Sequence, residues 1–379
     1  MPDRKVMILA GEASGDAHAA EFVTELRAIE PGIRLSGMGS SEMENAGVEV
    51  FFDSSIIAVV GLVEVLRHWG DIKKAMAIVK QRLEQDRPDL LVLVDYPEFN
   101  LKMARHARSL GIKVLFYISP QVWAWRPKRI HKIGRLIDHM AVIFQFEKPY
   151  YERANIPVSF VGHPLVDKVK VDQGPRQTRE NLGLTQDDRV IGLLPGSRQS
   201  EILRLMPLMI GTARTMIKRD DQLKFILPVA RSLDFDEISK QCTDSGVEII
   251  PSQDNIYDLI SSCDAIVSCS GTVTLEIALL QVPLCIVYKM SWLSYQIMSR
   301  LITIPHIGLV NIVADGGIVT ELLQDDANPD RVSKELFDLL ENQVTIDKVK
   351  KGLTQARENL GAGSGSENVA KLIIKLLGN

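Results

Sequence analysis

In DLLVLVDYPEFN a run of aliphatic residues ends on Asp95, which sets a carboxylate at the carboxyl end of a strand. A group so placed takes a proton from an attacking hydroxyl when its pKa suits. The plainer role is a loop aspartate that caps a helix through NLKMARHA. Two later stretches have the chemistry of anion binding. In LLPGSRQSEI the run VIGLL reads as a strand, Pro195-Gly196 as its turn and Ser197 as the cap of the next helix, with Arg198 beside it. A helix start presents unpaired N–H groups to an anion, and a guanidinium fork holds a diphosphate oxygen. SCSGTVTLEIAL repeats the arrangement: a strand, the small turn Ser270-Gly271-Thr272, then a helix with Glu276 one turn inside. Glu276 suits a ribose diol, or it only complements the helix dipole. Two strand–turn–helix sites in one domain suggest a nucleotide diphosphate. AGEASGDAH, after the opening apolar run, places Glu12, Ser14, Asp16 and His18 at another strand end, where polar turns are common in any case.

These groups need a scaffold that brings strand ends together. Short apolar runs (VMILAG, DLLVLVDYP, KVLFYISP, VIGLL, KFILPVA, VEIIPSQ, AIVSCSG, PLCIVYKM) alternate with helix-like stretches. That pattern predicts parallel sheets covered on both faces. It pauses at IPVSFVGHPLVD and restarts at VIGLL, and 379 residues are too many for one compact core, so two such units are expected. The expected spans are 1–165 and 166–354, with the amphipathic tail 355–379 returning to the first unit. GMGSSEMENAG lacks GxGxxG spacing and reads as a turn, and no GxxxxGK[ST] occurs, which disfavours NAD enzymes and P-loop kinases.

SPQVWAWRPKRIHKIGR lies in a stretch without acid, since no Asp or Glu occurs from Phe99 to Ile137. The net charge of −4 makes this cationic region a local feature and speaks against a nucleic-acid coat. After Pro127, helical spacing puts Lys128, Lys132 and Arg135 on one face and Ile130, Ile133 and Ile137 on another. Trp123 and Trp125 suit a lipid headgroup boundary, or serve as buried packing. In IIAVVGLVEVL, residues Val60, Leu62, Val63 and Leu66 suggest an exposed apolar patch, or equally a buried element. No apolar run approaches the roughly 18 residues of a membrane span. Cys242, Cys263, Cys269 and Cys285 form no CxxC and no zinc-ligand spacing, which fits a reducing compartment.

Taken in order, GEASGD, DYPEFN, YISPQVWAWRPKRIHKIGR, FVGHPL, LLPGSRQSEI and SGTVTLE resemble the lipid A disaccharide synthase family of Gram-negative envelope synthesis over nearly the whole chain. The resemblance implies a GT-B fold, with two Rossmann-like doubly wound α/β domains facing a central cleft. It implies an inverting glycosyltransferase that moves 2,3-diacylglucosamine from UDP to the 6-hydroxyl of 2,3-diacylglucosamine 1-phosphate. It makes Asp95 the base, with Arg198, Ser270, Gly271, Thr272, Glu276 and Asn311 as donor contacts. Glu12, Ser14, Asp16, Arg126 and Arg129 then belong to the acceptor or cleft, and no metal or cofactor is expected. Trp123, Trp125, Lys128 and Lys132, with the 60–66 patch, would meet an anionic membrane surface, placing the chain peripherally on the cytoplasmic face of the inner membrane. Two positions depart from the family pattern: Val310 and Thr320 stand where prolines are usual, which puts in doubt the setting of Asn311 and the roles of Glu321 and Gln324. The rival readings are a sugar-nucleotide epimerase of the same fold and a non-catalytic UDP-sugar or lipid sensor.

Overall fold

The computed structural model describes residues 4–57, 68–124, 128–291, 296 and 305–378. The chain forms two compact units, Met1–Val166 with Gly361–Asn379, and Asp167–Leu360. The first holds a seven-stranded sheet of β1 (Lys5–Ala10), β2 (Arg34–Gly39), β3 (Glu49–Asp53), β4 (Leu90–Val94), β5 (Lys113–Tyr117), β6 (His139–Val142) and β7 (Val158–Phe160). Their order is β3-β2-β1-β4-β5-β6-β7. The second holds β8 (Val190–Leu194), β9 (Lys224–Pro228), β10 (Ile249–Ser252), β11 (Ala265–Cys269), β12 (Leu284–Tyr288) and β13 (Glu321–Leu323), in the order β10-β9-β8-β11-β12-β13. Every strand pair is parallel.

The central strands are the near-continuous apolar runs. All five residues of β4, β8 and β11 are buried, as parallel strands covered on both faces require. Helix Ala13–Ile29 buries Ala19, Phe22, Val23 and Leu26, a 3.6-residue stripe. Its outer neighbour is the last helix, Gly365–Gly378. There Lys113 Nζ donates to the Leu376 carbonyl at 3.0 Å and Asn368 Nδ2 to that of Val161 at 3.0 Å. Helix Gln343–Asn359 stays in the second unit, so the return begins at Gly361.

The segment read as a turn, GMGSSEMENAG, instead completes β2 and forms the short helix Ser41–Asn45. A Cβ at Gly37 would overlap the Ile8 carbonyl on β1, so this glycine serves close strand packing.

Trp123 is also corrected. It does not lie at a lipid boundary: only 7% exposed, it packs edge-on against Phe146 and donates from Nε1 to Glu147 Oε1 at 3.1 Å. Glu147 is itself buried and accepts the Phe144 amide at 3.4 Å. Alongside, the hydroxyls of Ser119 and Tyr151 share a bond of 2.6 Å. Burial pushes the Glu147 carboxyl up to about 8, against the opposing effect of the Trp123 bond. The folded protein therefore keeps Glu147 protonated where the unfolded chain has lost that proton. Stability should fall as pH rises from about 4.5 towards 8 and level off above. Glu147→Gln should remove this component, so the variant's melting temperature gains on wild type across that window. A constant difference between pH 5 and 8 would refute a neutral Glu147.

Candidate functional site

In a doubly wound sheet, helices leave on opposite faces from the two strands flanking the point where the order reverses, and a crevice opens outside their carboxyl ends. Here those strands are β1 and β4 in the first unit, and β8 and β11 in the second.

The second unit carries a cavity of about 1020 Å³ at the ends of β8 to β11. Arg198, Ser270, Gly271, Thr272 and Glu276 all line it. After β8 the chain turns at Gly196 (φ +119°), where a Cβ would overlap the Glu201 carboxylate. That carboxylate accepts the Ser197 amide at 3.0 Å and the Arg198 amide at 3.3 Å. The cap of helix Gln199–Ile217 is thus supplied from inside by Glu201, not by Ser197, and these amides are already engaged. The Arg198 guanidinium remains 78% exposed, with Glu201 Oε1 at 3.6 Å. The Ser232 hydroxyl donates to the Ser197 carbonyl at 3.0 Å, tying in the β9 loop that brings Arg231 to the cavity.

After β11, Ser270 Oγ donates to the Ile307 carbonyl at 3.1 Å. Nothing lies within 4 Å of a Cβ built on Gly271, so a ligand can approach its backbone. Glu276 sits half-buried in helix Val273–Leu279. Burial raises its pKa, while the Lys168 charge and a 3.4 Å bond from the Tyr257 hydroxyl draw it back. Burial and the Glu276 charge in turn push the Tyr257 phenol up to about 12.

Asn311, expected among the donor contacts, does not line this cavity. It is fully buried: Nδ2 donates to the Val319 carbonyl at 3.0 Å and Glu321 Oε1 at 2.6 Å, while Oδ1 accepts the Ile318 and Val319 amides at 2.9 and 3.0 Å. Glu321 then accepts the Ile307 and Gly308 amides at 2.9 and 3.0 Å. Asn311 therefore braces the loop against which Ser270 is held. Val310 is the second residue of helix Leu309–Val313, a first-turn position without an intrahelical N–H bond, where proline fits equally well. Thr320 donates to Glu335 Oε2 at 2.8 Å, and Gln324 clasps the Met290 backbone with bonds of 2.8 and 3.2 Å.

In the first unit, Asp95 follows β4 on a strained turn: Asp95 and Tyr96 have φ of +46° and +45°. Asn100 Nδ2 holds it, donating to the carbonyls of Asp95 at 2.7 Å, Val94 at 3.2 Å and Leu9 at 3.4 Å. The Tyr96 ring lies where a Cβ at Gly11 would be, and its hydroxyl donates to the Ile57 carbonyl at 3.2 Å. Helix Pro97–Ser109 begins after Tyr96 with no side-chain cap. Burial raises the Asp95 pKa, against the Tyr96 amide and the His18 charge. Glu12 is likewise raised, by burial and then by Asp95.

Of the other expected acceptor residues, Ser14 is exposed. Asp16 is a correction: it is buried, and its oxygens accept the Ser40 amide at 2.6 Å and the Glu42 amide at 3.0 Å, starting helix Ser41–Asn45. Arg129 donates to Glu98 Oε1 at 2.6 Å. Lys128 and Lys132 are exposed, with Ile130, Ile133 and Ile137 buried beneath. Arg126, Trp125, Val60, Leu62, Val63 and Leu66 lie outside the described residues. His163 of FVGHPL accepts the Leu165 amide at 3.2 Å, and burial pushes it down to about 3, which leaves a neutral structural imidazole. Among the described residues no helix is long and apolar enough to cross a membrane.

Two doubly wound units, each with its polar groups at its own switch point, define the GT-B class. The chain matches the glycosyltransferase of kitacinnamycin with a TM-score of 0.66, at 14% identity over 99% of this chain and 100% of that one. It matches the UDP-GlcNAc 2-epimerase of Neisseria meningitidis, solved with UDP-GlcNAc bound, with a TM-score of 0.62, at 14% identity over 98% and 100%. At such identity the likeness is one of fold. The sequence discriminates further. Residues 6–374 match the family model for lipid-A-disaccharide synthetase. The lipid-A-disaccharide synthase of Geobacter sulfurreducens is 48% identical over 374 residues, covering 99% of this chain and 97% of the relative. The chain belongs to the lipid-A-disaccharide synthetase family and is a glycosyltransferase; the epimerase reading is not favoured.

Replacing Asn100 with Ala should leave the buried carbonyls of Val94 and Leu9 and the part-buried one of Asp95 without that donor, lowering stability by about 1–3 kcal/mol in urea unfolding. An unfolding midpoint equal to that of wild type would show that the turn holds without it.

Proposed function

We propose that the chain transfers 2,3-diacylglucosamine from UDP to the 6-hydroxyl of 2,3-diacylglucosamine 1-phosphate, giving the β-1,6-linked disaccharide 1-phosphate and UDP. The observation that carries this reading is the division of chemistry between the two switch points. One has a cavity lined by cations, small turn residues and a half-buried carboxylate; the other has Asp95 held on a rigid, strained turn, with the Glu12 carboxylate near it.

Asp95 is the base. Its raised pKa brings it nearer the working pH, which strengthens a carboxylate as a proton acceptor. As the acceptor oxygen forms its bond to the anomeric carbon, Asp95 takes the hydroxyl proton. The bond from that carbon to the UDP oxygen breaks, and its electron pair leaves with UDP. A single displacement inverts an α-linked donor to a β linkage through an oxocarbenium-like transition state. Arg198 and Arg231 offset the growing charge on the diphosphate, helped by the open backbone at Gly271 and Thr272. Glu276 accepts from the ribose hydroxyls. Glu12 and Ser14 belong to the acceptor side.

The acceptor is an amphiphile, and we propose that the protein meets it at the cytoplasmic face of the inner membrane, on an anionic lipid surface. Trp69 supports this. It is 43% exposed, with Lys73 and Lys102 Nζ each 5.7 Å from its ring. Exposed Lys128, Lys132 and Arg135 add charge, each worth about 1 kcal/mol near anionic lipid.

Asp95→Ala should lower transfer by roughly 10²–10⁴-fold while UDP still binds in calorimetry. Turnover near the wild-type rate would refute the base assignment and leave a non-catalytic sensor open. Arg198→Ala should raise the donor KM; unchanged kinetics at limiting donor would remove it from the site. Co-sedimentation with anionic vesicles should weaken as salt rises through about 0.5 M, since screening shortens the Debye length. Salt-independent binding would assign the attachment to apolar contacts.

A further inference from the structure

Glu276 is not an isolated acid in the donor cavity. Tyr257 reaches it from helix Ile256–Ser261, donating to Oε1 at 3.4 Å, and Lys168 faces it from the segment that opens the second unit. Both residues line the cavity beside Gly271 and Thr272. The tyrosine is fixed at its root, because Asn255 Oδ1 accepts the Tyr257 amide at 2.9 Å. The same asparagine donates from Nδ2 to Asp172 Oδ2 at 2.7 Å, and Asp258 Oδ1 accepts the amides of Asp172 and Gln173 at 2.8 and 3.0 Å. The strand of chain carrying Lys168 is therefore stitched to the tyrosine's own helix, and the two approach Glu276 as one assembly.

A half-buried carboxylate that must accept from a ligand has two difficulties. It tends to protonate, and it rotates about its last bond unless something engages one oxygen. The phenol addresses both, since a donor on Oε1 favours the ionised form and directs Oε2 outward. We propose that Tyr257 is a positioning residue for Glu276 and makes the cavity selective for a ribonucleoside diphosphate over its 2′-deoxy counterpart. This rests on Glu276 as the ribose acceptor. A cis-diol gives one carboxylate two donors, and removing one leaves a partly desolvated oxygen unsatisfied, which is the strongest basis for rejecting a near-isosteric ligand.

The test is calorimetric titration of the full chain with UDP and with 2′-deoxy-UDP. Wild type should prefer UDP by roughly tenfold or more, the value of a hydrogen bond to a charged group. Tyr257→Phe keeps the ring and removes only the donor. It should weaken UDP more than 2′-deoxy-UDP, so that the preference shrinks to about threefold or less, and in turnover the change should fall on donor KM more than on kcat. A preference equal to wild type, whether both affinities hold or fall together, overturns the proposal. Glu276→Gln separates the two layers. If it loses the preference while Tyr257→Phe keeps it, the tyrosine's role fails and the ribose contact stands. If Glu276→Gln also discriminates as wild type does, or wild type does not discriminate at all, the ribose contact itself is wrong.

Discussion

The parallel pairing of β1 with β4 and of β8 with β11 is the constraint from which the rest follows. In each sheet the chain builds outward in one direction and then crosses back to start on the other side. Loops after the two central strands part to opposite faces, so backbone and side chains at that point are left without neighbours from their own sheet. Asp95 after β4, Glu12 after β1, Arg198 after β8 and Ser270 after β11 all occupy such places. Burial of the strands raises the pKa of carboxylates at their rims, and the loops that leave them are free to take unusual backbone conformations.

Much of this was legible in the sequence, because fully buried parallel strands are continuous apolar runs. VMILAG, DLLVLVDYP, VIGLL and AIVSC needed no partner to be recognised. The flanking strands were harder: β2 is glycine-rich where it packs against β1, and β7 has only three half-buried residues. Residue type and local spacing placed Arg198, Ser270 to Thr272 and Glu276 correctly at the strand ends of one cavity. They misjudged Asp16 and left Trp123 between a lipid boundary and buried packing, and the family resemblance misjudged Asn311; the polar atoms of these three are consumed by partners 24 and 26, 24, and 7 to 10 residues away. Satisfaction of a buried polar group is a tertiary property, which a motif does not display. Tyr257, Lys168 and Arg231 gave no local signal: they reach the cavity from helix Ile256–Ser261, from the segment that opens the second unit and from the loop after β9.

The acid-free stretch from Phe99 to Ile137 divides into two layers. Its apolar side chains and Trp123 face inward, and the nearest carboxylate to the tryptophan is Glu147, borrowed from further along the chain and kept neutral by its surroundings. Lys102, Arg105, Arg108, Lys128, Lys132 and Arg135 face outward. The absence of acid in the sequence therefore does not mean the absence of acid in space; the fold imports one into the interior, and at the surface Glu98 meets Arg129, Asp138 meets Arg108 and Glu84 meets His106.

The helix Gly365–Gly378 lies against Ala13–Ile29, so the first unit is assembled from segments on either side of the second in the sequence. During synthesis, domains ordinarily fold as they leave the ribosome, the earliest first. Here the order is reversed in part. The second unit has all its residues available by Leu360, while the outer flank of helix Ala13–Ile29 stays uncovered until residues 361–379 are translated.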